Sequence, residues 1–133
     1  MNREGPLGER VRPREQLFWV LDADHKPVPA RSVTEWEKWM FDERLKIGVG
    51  RIGYETINGW KVSTIFLGID HGFGGPSRWF ETMIFVDEDR PAPLEDDERL
   101  KEWRENQQMR YSTWDEAEKG HAMFCEIIRN GLF

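Results

Sequence analysis

Arg51-Ile52-Gly53-Tyr54-Glu55-Thr56-Ile57 alternates in the manner of a strand, Asn58-Gly59 interrupts it, and Trp60-Lys61-Val62-Ser63-Thr64-Ile65-Phe66-Leu67-Gly68-Ile69 resumes an extended pattern. Asn-Gly is the strongest two-residue signal for a tight hairpin turn, because both of its residues tolerate positive φ. The apolar run from Ile65 to Ile69 places the second strand centrally, covered on both faces. A glycine-rich loop, His71-Gly72-Phe73-Gly74-Gly75-Pro76-Ser77-Arg78, then leads into a third strand over Trp79–Val86. These runs predict a three-stranded antiparallel meander, with Phe18–Leu21 offered as a fourth strand.

Helices precede and follow the meander along the chain. Ser32 or Thr34 opens the first; Thr34 and Glu37 have capping-box spacing, and Trp36, Trp39 and Met40 define one apolar face. Gly48, Gly50 and Gly53 discourage helix beyond about residue 44. Thr113 and Glu116 cap the last helix, whose stripe of Trp114, Ala117, His121, Phe124, Cys125 and Ile128 faces inward; Asn130-Gly131 ends it. The acid-rich stretch at about 87–108 reads as a charged insertion, with Leu94–Gln108 able to form a polar helix on Leu100 and Trp103. Residues 1–15, rich in Arg with Pro and Gly, read as a flexible arm. The expectation is one α+β domain over residues 16–133. Its three- to four-stranded antiparallel meander carries two or three helices packed on one face.

At 133 residues the chain suffices for one domain. A hydrophobic fraction of 38% argues for a folded globule, and seven tryptophans must serve as core filler or as binding surface. The net charge of −6 lacks the basic footprint of direct nucleic-acid binding. The single cysteine, Cys125, cannot form an internal disulfide, which fits a reducing compartment. No apolar run approaches the roughly 18 residues of a membrane span, and the N-terminus has no secretory pattern. A soluble cytoplasmic protein is expected.

Chemistry has few places to reside. If the glycine-rich loop closes symmetrically, Asp70 lies opposite Trp79 and Gly68 opposite Glu81, making Asp70 and Glu81 diagonal neighbours on one face. Asp70, His71, Glu81 and His121 are therefore the candidate catalytic residues, an acid/base pair or a set of oxygen and nitrogen ligands. His121 equally suits a core role, its ring nitrogens finding a carboxylate or backbone partner. His71, Gly72, Gly74, Gly75, Arg78 and Trp79 form the candidate ligand-binding loop, whose amides can hold a small anion. The loop lacks the context of a dinucleotide or phosphate motif, and its glycines more simply allow a tight connection. With two plausible histidine ligands and no H-x-x-x-H or C-x-x-C spacing, neither a metal nor a cofactor is expected. Ser63 and Thr64 read as ordinary strand residues and Cys125 as a small buried hydrophobe.

Three segments carry a resemblance. Val62–His71, Phe80–Phe85 and Arg110–Glu118 with Gly120-His121, together with the aromatic strand and acidic turn of Phe18–Pro29, resemble a family of small uncharacterised proteins encoded by tailed bacteriophages and prophages. The N-terminal arm and the acidic 87–108 segment are longer than typical members carry. The resemblance implies a host cytoplasmic location and a non-virion accessory role, and it brings no activity. Three readings follow: a non-catalytic accessory protein binding a host protein or small anionic ligand; a small hydrolase or nuclease, with or without a metal, built on Asp70, His71, Glu81 and His121; and a structural or assembly factor. Tryptophan-rich faces would also suit a homo-oligomer, and Trp79 and Trp103 are the tryptophans left over for function.

Overall fold

The computed structural model describes residues 17–87 and 107–131. The elements run β1 (Trp19–Leu21), β2 (Pro27–Pro29), α1 (Val33–Asp42), β3 (Arg51–Ile57), β4 (Trp60–Phe66), β5 (Phe80–Val86), β6 (Gln108–Tyr111) and α2 (Trp114–Arg129). Strands β3-β4-β5-β6 form a four-stranded antiparallel sheet in sequence order, and β1-β2 a separate two-stranded ribbon. The molecule is an α+β fold. No helix among the described residues is long and apolar enough to cross a membrane.

The hairpin forms as its sequence requires. Asn58 and Gly59 take φ of 51° and 85°, so Ile57 pairs with Trp60 across a two-residue turn. The side chain of Asn58 also donates to the carbonyl of Ile128, tying the turn to the end of α2.

The fourth strand is a correction. Phe18–Leu21 does not join the meander: Trp19, Val20 and Leu21 pair with Pro29, Val28 and Pro27. Two prolines leave β2 without those backbone donors, which confines it to the edge of a short ribbon. The sheet is completed instead by Gln108–Tyr111, which pairs with Met83–Phe80. Gln108 is therefore strand rather than the end of a polar helix. Residues 94–106 of that expected helix, Trp103 included, and the 1–15 arm lie outside the described residues.

The hairpin register between β4 and β5 is a second correction. The last paired residues are Ile65 with Glu81 and Phe66 with Phe80, not Gly68 with Glu81. Strand β4 stops at Phe66 because Gly68 turns into the left-handed region at φ 82°. Its carbonyl there accepts from the Trp19 amide and from the Trp36 indole. A Cβ on Gly68 would press against Met40 and Trp36, so this glycine seats the apolar face of α1.

Both helices begin on their expected type of cap, though α1 uses Ser32, whose hydroxyl accepts from the Glu35 amide, rather than the Thr34–Glu37 pair. On α2 Thr113 accepts from the Glu116 amide, and the Glu116 carboxylate takes the Ser112 amide. The inward stripe of α2 is buried at Ala117, Gly120, His121, Cys125 and Ile128.

Beneath α2 the inward positions of the sheet repeat one pattern. Strand β4 presents Val62, Thr64 and Phe66, and β5 presents Ile84, Thr82 and Phe80. The apolar ends build two clusters. Phe66, Phe80, Trp79, Leu21, Tyr111 and Ala117 form one, and Trp60, Val62, Ile84, Cys125 and Ile128 form the other. Between them Thr64, Thr82 and His121 make a polar band across the core.

Candidate functional site

The band draws one residue from each strand of the sheet and one from α2. In the β3-β4-β5 row Gly53, Thr64 and Thr82 stand opposite one another. Gly53 has no side chain, and the imidazole of His121 occupies that space; a Cβ there would come within 2.7 Å of the ring's Cδ2 and Cε1. The ring is thereby aimed along the sheet. Its Nδ1 is 2.7 Å from Thr64 Oγ1 and its Nε2 is 2.8 Å from Glu55 Oε2. Thr64 Oγ1 meets Thr82 Oγ1 at 2.5 Å, and the Tyr111 hydroxyl donates to Thr82 at 3.1 Å.

With His121 neutral, the protons of this chain take one order. The Glu55 carboxylate only accepts, so Nε2 carries the imidazole proton and Nδ1 is left as an acceptor. Thr64 donates to Nδ1, Thr82 to Thr64 and Tyr111 to Thr82. Five side chains thus form a directed line from the β6 edge to the solvent at Glu55. Burial pushes the Tyr111 hydroxyl above its ordinary range, against the weaker pull of Thr82.

A hydroxyl, an imidazole and a carboxylate in line resemble the parts of a nucleophilic triad. Thr64 and Thr82 are, however, wholly buried and His121 is 6% exposed. No substrate atom can approach either hydroxyl without unpacking α2, so the line ties α2 to the sheet and offers no nucleophile. Only Glu55, with its side chain about half exposed, opens to solvent, where Arg129 lies 3.8 Å from Oε1.

Cys125, one turn beyond His121 on α2, completes this end. One atom each of Glu55, His121 and Cys125 lies within 4.8 Å of the others. Burial first, and then the charge of Glu55, push the thiol up to about 12. It is a protonated thiol at neutral pH, as a buried cysteine should be.

The residues proposed from sequence occupy separate places. Asp70 organises the glycine-rich loop: Oδ1 accepts from the amides of Gly72 and Arg78 at 2.8 and 2.9 Å, and Oδ2 from the Ser77 hydroxyl at 2.8 Å. The loop's own carboxylate thus takes amides that an anion would need. Gly74 supplies a left-handed turn at φ 93°, Gly75 donates to the Gly72 carbonyl, and His71 stands edge-on to Phe73. Arg78 reaches Ser112. Trp79 packs between Trp19 and Phe66 in the core.

Glu81, beside Thr82 in β5, points to the opposite face of the sheet and is held by Arg110 at 2.9 Å. His121 lies beneath α2. Asp70, Glu81 and His121 therefore have three different sets of partners, and the structure does not bring them together. Sequence reading missed Glu55, Thr82 and Tyr111 as partners of His121, and it passed over the third histidine. His25 stacks on Trp114 at 3.7 Å and reaches the Gly48 carbonyl.

No protein-family model, curated protein or solved structure matches this chain.

Proposed function

We propose that the chain is a non-catalytic accessory protein that binds a protein partner through the end of α1 and the segment after it. The observation that carries this reading is the exposure of Phe41, Leu45 and Ile47, at 88%, 54% and 61%. Single exposed apolar residues are ordinary, whereas three within one short segment mark a contact surface. Lys38, Asp42, Glu43 and Lys46 surround them with mixed charge, the composition of an interface rim. An open cleft on the same helix is lined by Glu35, Lys38, Trp39, Asp42 and Glu43.

The inward chemistry supports the same reading, since the hydroxyls and the thiol are buried and Asp70 is spent on its loop. A protein partner fits better than a small anion for that reason. The bacteriophage setting and the host cytoplasm rest on the resemblance of residues 62–71, 80–85 and 110–121.

The test is photo-crosslinking from position 45 in host lysate, with identification of the captured protein. A single stoichiometric partner, lost in the Phe41→Asp, Ile47→Asp variant, is the expected result; the variant keeps its circular dichroism because both side chains are mostly exposed. Capture that is indifferent to both substitutions would overturn the reading, as would turnover in a hydrolase or nuclease panel that disappears with Glu55→Gln.

A further inference from the structure

His121 and Cys125 are four residues apart on α2 and project from one face, toward Glu55 on β3. We propose that Glu55, His121 and Cys125 bind one zinc-class divalent ion per chain, leaving a fourth position for water. This is independent of the partner-binding reading.

The donor set selects the ion. Imidazole nitrogen, thiolate sulfur and carboxylate oxygen are the ligands zinc takes, and the sulfur disfavours magnesium and calcium. The three ligand atoms already lie within 4.8 Å of one another. They come from two elements that pack together, so the site needs side-chain adjustment rather than refolding. Two ligands are buried, and Glu55 gives the ion its entry from solvent.

What surrounds the trio strengthens the assignment. A metal-bound histidine uses its second nitrogen to donate to a fixed acceptor, which sets the tautomer and the ring plane. Here Nδ1 faces Thr64 Oγ1 at 2.7 Å, and that hydroxyl is held in turn by Thr82. On binding, the imidazole remains neutral and its proton moves from Nε2 to Nδ1. Thr64 changes from donor to acceptor toward the ring. The thiol proton leaves to solvent, and a Cys125–metal bond forms in its place. The bare backbone of Gly53 keeps the ring in this orientation.

Arg129 is the competitor. Its guanidinium lies 3.8 Å from Glu55 Oε1 and also reaches Glu126, with its own side chain about half exposed. It can swing outward when an ion arrives, and it weakens the site while it stays.

Cobalt(II) titration of the full chain, stripped beforehand with chelator, decides the matter. The expected result is one equivalent bound, with thiolate-to-cobalt charge-transfer absorption and the visible bands of four-coordinate cobalt, reversed by zinc. Cys125→Ser abolishes the charge-transfer band, Glu55→Gln weakens binding about tenfold or more, and Arg129→Ala strengthens it. Absence of the band at one equivalent, or its survival in Cys125→Ser, overturns the proposal. Should Cys125→Ser fail to fold, the substitutions at the exposed Glu55 and Arg129 still decide, because an affinity unchanged by both overturns the site.

Discussion

The imidazole of His121 rests on the backbone of Gly53, in the space that a side chain opposite Thr64 would otherwise fill. The constraint is one of volume. Gly53 does not occupy the left-handed region, so alanine is acceptable to the backbone there and only its methyl collides with the ring. Gly53→Ala is expected to lower stability by about 1–3 kcal/mol through overpacking. Urea denaturation measures this. A stability gain, the usual result of replacing glycine where the site has room, would show that the ring is not seated there.

The two buried threonines are expected to act as a unit. Thr64→Val keeps shape and volume but leaves His121 Nδ1 and the Thr82 hydroxyl without their partner, at about 1–3 kcal/mol. Thr82→Val should cost a similar amount by stranding Tyr111 and Thr64. The double variant should cost less than the sum of the singles, because both remove the same 2.5 Å bond. A double-mutant cycle in urea tests the coupling, and strict additivity would mean that the hydroxyls contribute separately.

How much of this was legible in the sequence follows from the range of each signal. Asn58-Gly59 and the Thr113 cap are local chemistry, and the hairpin and α2 form where they indicate. The stripe that buries His121 is periodic and equally readable. What alternation does not carry is register. The hairpin between β4 and β5 closes three residues short of symmetry because Gly68 turns its carbonyl to Trp19 and Trp36, contacts that are distant in the chain. That shift separates Asp70 from Glu81. Alternation alone did not say which face Glu55 takes, and only the pairing of Gly53 with Thr64 shows that it stands diagonally beside the histidine. The spacing of His121 and Cys125 was visible, but its ligand value depends on Glu55, 66 residues away from the histidine.

Asp70 is expected to behave as the organiser of its loop. Asp70→Ala removes the acceptor for two amides and the Ser77 hydroxyl, and should lower stability by about 2 kcal/mol. Asp70→Asn retains an acceptor oxygen for the Gly72 and Arg78 amides and should cost under about 1 kcal/mol. Thermal or urea unfolding of the pair separates this role from acid/base catalysis. A catalytic carboxylate would make the two variants equally stable and equally inactive.

The Cys125 thiol sets an alkaline limit on stability. Its folded value near 12 lies above the ordinary 9.0, because burial and Glu55 disfavour the thiolate. Below pH 9 the thiol is protonated in both states and its contribution to stability is fully present. Above pH 9 the unfolded chain loses the proton while the native chain keeps it, so the native state binds more protons and stability falls as pH rises toward 12. The slope is at most about 1.4 kcal/mol per pH unit. Tyr111, raised in the same direction, adds a fall at higher pH that a cysteine variant shares. The measurement is urea denaturation of wild type and Cys125→Ala from pH 7 to 11 with chelator present. The stability difference between them should be constant below pH 9 and shift against wild type above it. An aromatic disulfide reagent should accordingly leave the native thiol unmodified at neutral pH and titrate it fully in urea. Rapid modification of the folded protein would show that the thiol is neither buried nor held protonated.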